Sequence, residues 1–273
     1  MAKAFARLQM TPSAVTLLGG VFGIAAGHFY YYRDLRINII GMALHVCANA
    51  LDNADGQLAR LTHQQSRKGR LFDGLIDYII FVGIYLHLVF RILHGGGSST
   101  VWILALAAGA SHALQSATAD YSRNAYLYFV RGTGEFDSYA DLLSVYRELR
   151  WQSHPWQKLL LWLYLGSTRE QELVAPSLHR LRQRIVKLPG AISPRFRSAY
   201  REQVLPTLRW WRFMMTNTRM LLLFVLLTLN YPIFYFWIEL CALNLLLTWL
   251  LLRQEKISQS LALLLPSAPA EAA

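Results

Sequence analysis

Apolar residues in this chain come in long blocks separated by short polar breaks. Six blocks are candidate spans: about Pro12–Tyr32, Ile37–Leu61, Phe72–Leu93, Val101–Val130, Thr218–Leu229 and Tyr231–Leu252. A block near 20 residues is long enough, as a helix, to cross a bilayer. The last two are divided by Asn230–Tyr231–Pro232, a turn signal, because proline disfavours helix in the residue before it. The fifth block is short, and its helix could start further back, within Trp210–Thr216. The second loses its clean apolar character near Leu51, yet stays helix-compatible through Leu61. It reads as one helix that carries a polar end to the membrane surface. The expected architecture is all-α: a polytopic bundle of six transmembrane helices with interfacial amphipathic helices. Residues 1–265 form one domain, and 266–273 (PSAPAEAA) a disordered tail. No small-residue cleavage site follows the first block, so that span is expected to be retained.

Composition agrees. Hydrophobic residues make up 54% of the 273 and charged residues only 16%, against about one quarter charged in soluble domains. The net charge is +11, from 27 basic and 16 acidic residues. In an apolar chain this points to basic loops facing anionic lipid, and no nucleic-acid partner is expected. With six spans, one side collects Lys3, Arg7, Arg60, Arg67, Lys68, Arg70, Arg253 and Lys256. The other side collects only Arg33, Arg36 and Arg91. That asymmetry places both termini in the cytoplasm, which means the inner membrane if the cell is bacterial. Cys47 and Cys241 lie in apolar segments and read as packing residues.

The longest connection, 131–217, is basic and rich in tryptophan: Trp151, Trp156, Trp162, Trp210 and Trp211. Its run Trp156–Gly166 (WQKLLLWLYLG) is too short to span. It reads as an interfacial amphipathic segment or one packed on the bundle. Pro189, Pro194 and Pro206 are expected to break the remainder into short helices.

Against this apolar background, Leu51–Asp77 holds Asp52, Asp55, Asp73 and Asp77, while the rest of the first 119 residues holds one other acid, Asp34. Asp52 and Asp55 are three apart, Asp73 and Asp77 four apart, so each pair shares a helix face. Two such helices joined by a short loop bring four carboxylates together at one bilayer face. Unpaired charges there would cost several kcal/mol each. Oxygen-only ligands point to a hard divalent cation, Mg²⁺ or Mn²⁺, with Ca²⁺ less suited. His45, Asn49, Asp52, Gly56 and Ala59 run down one helical stripe. The small residues leave room for a bulky ligand, Arg60 adds a cation, and Gly69 is placed just before the third helix. A phosphate-bearing substrate bridging two metals fits this inventory.

The series Asp52-x2-Asp55-Gly56-x2-Ala59-Arg60-x8-Gly69-x3-Asp73-x3-Asp77 resembles the full signature of the CDP-alcohol phosphotransferase (CDP-alcohol phosphatidyltransferase) family. Met10–Gly23 is similar to that family's opening, with Ser13 where an Asn is usual. The resemblance implies a membrane transferase of phospholipid biosynthesis, which moves a substituted phosphate from a CDP-linked donor to an alcohol and releases CMP. It implies two divalent ions, Mg²⁺ or Mn²⁺. It makes Asp52, Asp55, Asp73 and Asp77 the metal cluster, with Asp77 also the general base. It puts Gly56, Ala59, Arg60 and Gly69 around the cytidine diphosphate, and it implies a homodimer.

For the acceptor, the end of the fourth span offers Arg123, Asn124 and Arg131, and the fifth begins with Arg219. An arginine fork suits phosphate; equally, these residues could pair locally or anchor helix ends. The arginines favour CDP-diacylglycerol as donor and a small polar alcohol or phosphorylated polyol as acceptor. The alternative is CDP-choline or CDP-ethanolamine donating to diacylglycerol. Two distant readings are a membrane prenyltransferase, whose Asp motifs are farther apart, and a cation transporter, whose site should sit near mid-bilayer.

Overall fold

The computed structural model describes residues 1–133, 136–188 and 192–265. Among these the chain is helical throughout, with no strand. A short helix α1 (Ala2–Arg7) precedes α2 (Pro12–Tyr31), α3 (Leu35–Leu61), α4 (Arg67–His94) and α5 (Val101–Tyr126). A π turn, Leu127–Arg131, ends α5. The insertion supplies α6 (Tyr139–Glu148), α7 (Pro155–Val174), α8 (Pro176–Lys187) and α9 (Pro194–Trp211). Then come α10 (Thr216–Thr228), α11 (Ile233–Trp237) and α12 (Leu243–Ala262), the last two joined through a π segment, Ile238–Ala242.

Each expected span is a helix, but among the described residues three stretches are both long and apolar enough to cross a membrane: Pro12–Tyr31, Arg67–His94 and Ile233–Ala262. Thr216–Thr228 is apolar but shorter. Helices α3 and α5 have the length, about 40 Å each. Their polar residues lower the apolar signal: Asn38, His45, Asn49, Asp52 and Asp55 on α3, His112, Gln115 and Asp120 on α5.

The central element is α2, which packs along both α3 and α4. Its glycines make this possible. A Cβ on Gly20 would lie 2.9 Å from Ile76, and one on Gly23 2.7 Å from Ile80. At Gly27 it would meet the backbone of Gly83 and Ile84 at 3.2–3.3 Å. Small residues let helix backbones approach closely, and here they draw the two acid-bearing helices onto one support.

Several boundaries differ from the sequence reading. Ser66 caps α4, its hydroxyl accepting from the Gly69 N–H at 3.0 Å. Gly69 therefore lies inside the first turn of α4, not before it, because the cap starts the helix five residues ahead of the apolar block. Helix α10 starts at Thr216, the near edge of the expected window; α9 and a 3₁₀ turn (Arg212–Met214) fill the rest of it, and extended Met215 separates them. Pro194 opens α9, but Pro206 sits inside it. Burial of Val204, Thr207 and Trp211 around Pro206 offsets the missing hydrogen bond. Pro189 and the 266–273 tail lie outside the described residues. Helix α12 runs ten residues past Leu252 because α8 and α9 cover it. The Glu255 carboxylate accepts from the Ser177 N–H at 2.9 and 3.0 Å, and Ile257 and Leu261 are buried.

In α7, Leu161 and Leu165 are buried in a small core with Leu142 and Leu71. Trp156, Trp162 and Leu163 face outward. The segment is thus packed on the bundle through one face and exposes an apolar stripe on another.

Candidate active site

The two acid pairs come from different helices and meet where α3 and α4 both pack on α2. Carboxylate oxygens of Asp52, Asp55 and Asp73 lie within 4.8 Å of one another. Asp55 is buried, and Asp52 and Asp73 are half-buried. Asp77 is exposed one turn along α4, outside that tight group but within electrostatic reach of Asp52, Asp55 and Asp73. The four carboxylates therefore form a triad plus one.

The donor set fits a hard divalent cation. It is oxygen-only, it is negative, and Asp73 Oδ1 is buried with no hydrogen-bond partner among the described residues. A buried carboxylate oxygen without a donor is costly unless something positive meets it. Asp55 is oriented from α2, where the Thr16 hydroxyl donates to its Oδ2. Thr16 was not singled out from the sequence; the only signal was its place in the Met10–Gly23 opening segment.

Around the triad, Gly56 leaves open space. A Cβ there would meet only Arg60 Nη1, at 3.8 Å. Ala59 is half-buried and Arg60 exposed on the same helix. Gly69 lies in the first turn of α4, one turn before Asp73. The stripe above the acids splits in role. Asn49 Nδ2 donates to Asn217 Oδ1 at 2.6 Å, tying α3 to α10. His45 is buried, 3.1 Å from the Tyr30 hydroxyl, and packs edge-on against Phe224.

The acceptor candidates scatter. Asp120 on α5 is exposed and within electrostatic reach of both Asp52 and Asp77, which makes it a fifth carboxylate at the site. Arg123, exposed on the next turn, is its opposite charge. Asn124 is half-buried beside it. Arg131 is exposed at the end of the π turn, eleven residues past Asp120 and thus about 16 Å further along the axis.

Arg219 is not an open phosphate fork. It is 3% exposed, and its Nη1 donates to Glu239 Oε2 at 2.8 Å. Its Nη2 donates to Gln115 Oε1 at 2.8 Å and its Nε to the Met214 carbonyl at 3.0 Å. A lone arginine at a helix start gives no sign that an acid twenty residues on will fold back against it.

The class that fold and site define is an α-helical membrane protein with a carboxylate pocket, suited to divalent cations, at one end of its bundle. Residues 9–125 match the family model for CDP-alcohol phosphatidyltransferase. Over 74 residues it is 38% identical to the CDP-diacylglycerol–serine O-phosphatidyltransferases of Mycobacterium bovis and Mycobacterium tuberculosis. That alignment covers 27% of this chain and 25% of theirs, so the chain spans about a quarter of the length of these relatives. No solved structure matches.

Proposed function

We propose that this protein transfers the phosphatidyl group of CDP-diacylglycerol to the hydroxyl of a small amino alcohol of the serine type, releasing CMP. The observation that carries the reading is the Asp52–Asp55–Asp73 triad, with its unpartnered Asp73 oxygen. Two divalent ions, Mg²⁺ or Mn²⁺, held by these three carboxylates with Asp77 beside them, would neutralise the donor's pyrophosphate and stabilise the charge that develops as CMP departs.

The remaining steps fall to the chain. Thr16 orients Asp55. Gly56 and Ala59 leave room for the nucleotide, Arg60 supplies a cation beside it, and the Gly69 turn lets the diphosphate approach α4. Asp77, outside the tight triad, takes the proton from the acceptor hydroxyl in this reading. The acceptor oxygen bonds to the phosphorus that carries diacylglycerol, the bond from that phosphorus to the bridging oxygen breaks, and the electron pair leaves with CMP.

An amine-bearing acceptor is favoured over a phosphorylated polyol on two observations. Asp120 adds negative charge beside the cluster. Arg219, one of the expected phosphate ligands, is committed to Glu239. Arg123 and Asn124, one turn from Asp120 on α5, would meet the acceptor's carboxylate in this reading. The serine transferases among the relatives agree. The basic asymmetry supports a cytoplasmic site, and the family resemblance supports a homodimer.

CMP release by purified protein tests this. It is measured with CDP-diacylglycerol and Mg²⁺ or Mn²⁺ against serine, ethanolamine, inositol, inositol 1-phosphate and glycerol 3-phosphate. Serine-stimulated release, lost in Asp77→Asn, is the expected result. Release stimulated only by a phosphorylated polyol would overturn the acceptor assignment. Turnover only of CDP-choline or CDP-ethanolamine with diacylglycerol would overturn the donor assignment.

A further inference from the structure

The end of the bundle opposite the carboxylates holds a second concentration of charge, of the other sign. Helix α4 joins the two: Asp77 and Arg91 lie fourteen residues, about 21 Å, apart along it. Arg91 is 2% exposed. Its Nη1 donates to the carbonyls of Tyr30 (3.0 Å) and Tyr32 (2.8 Å) and to Asn38 Oδ1 (2.7 Å). Its Nη2 donates to Asn230 Oδ1 at 2.8 Å. These contacts clasp the end of α2, the start of α3 and the α10–α11 turn, where Asn230 takes a left-handed backbone (φ 60°).

That clasp does not account for the whole group. All four partners are neutral oxygens, and Arg91 Nε is buried with no hydrogen-bond partner among the described residues. Among the described residues neither Arg91 nor Arg33 forms an ion pair. Asp34, the adjacent acid, is engaged as the cap of α3, accepting from the Arg36 N–H at 2.8 Å. A buried cation without a counter-charge is costly. The exposed Arg33 brings a second positive charge, and its guanidinium lies so close to Gly95 that a Cβ there would overlap Nη2. Arg33, Arg91, Gly95, Gly97 and Asn230 line one cavity of about 210 Å³, and the rest of its wall is largely apolar.

We propose that this cavity is an anion site for a phosphate group, with Arg91 as its buried floor and Arg33 as its rim. Arginine forks match phosphate oxygens, and the apolar wall beside them suits a phospholipid headgroup; free phosphate offers the same chemistry.

The test uses the full-length protein in a neutral detergent. Its thermal stability is followed while dihexanoylphosphatidylglycerol, dihexanoylphosphatidylcholine or inorganic phosphate is titrated. Arg33→Gln, at the rim, and Arg91→Lys, which keeps charge but loses the fork, are compared with wild type. Stabilisation by phosphatidylglycerol, with an apparent affinity roughly tenfold weaker in Arg33→Gln, is expected. If inorganic phosphate shows the same dependence on Arg33, the site takes the free anion; if only the lipid does, it is a headgroup site. Equal titration curves for wild type and Arg33→Gln overturn the proposal, whether or not Arg91→Lys folds. Anionic lipid bound at the carboxylate end would not distinguish these two proteins.

Discussion

Arg219 Nη1 lies 2.8 Å from Glu239 Oε2, and both side chains are almost wholly buried, at 3% and 0% exposure. The pair joins α10 to the π segment before α12, and Gln115 ties both to α5: its Nε2 donates to the Glu239 carbonyl at 2.9 Å and to Asn244 Oδ1 at 2.7 Å. His112 Nδ1 stands 3.6 Å from Glu239 Oε1. A π segment is a local widening of the helix found often at functional sites. Here it carries the acid into the bundle interior.

Breaking this pair from one side should leave a charge stranded. Glu239→Leu or Arg219→Met is expected to destabilise the protein by about 3–5 kcal/mol. The double variant Arg219→Met/Glu239→Leu should recover much of that loss. A double-variant cycle on thermal unfolding in detergent checks it, and strictly additive losses would contradict the coupling.

Thr16 reaches Asp55 from α2, so its effect should be on metal affinity and not on the fold. Thr16→Val is expected to weaken Mn²⁺ binding by roughly 10–100-fold, the size seen when a ligand loses its orienting partner. Electron paramagnetic resonance titration of Mn²⁺ reads this directly. Wild-type affinity in Thr16→Val would mean the hydroxyl does not position Asp55.

The triad and Asp77 should separate by function. Asp55→Asn and Asp73→Asn should abolish Mn²⁺ binding and turnover together. Asp77→Asn should lower kcat by roughly 10²–10⁴-fold while retaining most metal and nucleotide affinity. Equal loss of Mn²⁺ binding in Asp77→Asn would assign it to the tight cluster and remove it as the proton acceptor.

Chelation should act on stability as well as rate. Saturating Mg²⁺, at about 100 times its Kd, should add about 2.7 kcal/mol over protein treated with EDTA. Unfolding scans with and without Mg²⁺ measure the gain. It should vanish in Asp73→Asn, and an equal gain in that variant would place the ion elsewhere.

The glycine contact between α2 and α4 should be intolerant of bulk. A Cβ at Gly27 meets backbone, which cannot swing aside. Gly27→Val should cost about 1–3 kcal/mol and lower activity by moving α4 relative to α3. Gly83→Ala, where a Cβ meets nothing within 4 Å, should be neutral or slightly stabilising. A thermal-shift series over both variants decides it.

The sequence alone determined the helices and which acids share a helix face. Helical spacing put Asp52 with Asp55 and Asp73 with Asp77, and an apolar context made four carboxylates costly unless a cation was near. Both inferences use only local periodicity and solvation, which need no knowledge of the fold. The tertiary structure decided which groups meet across helices. It set Asp77 apart from the triad, brought Thr16 and Asp120 to the site, and took Arg219 away to Glu239. It also left Arg91 buried without a counter-charge among the described residues. Those outcomes depend on how α2, α4, α5 and α10 pack. Packing is settled by complementary surfaces, such as Gly27 against the Gly83–Ile84 backbone, that lie tens of residues apart and leave no periodic trace in the chain.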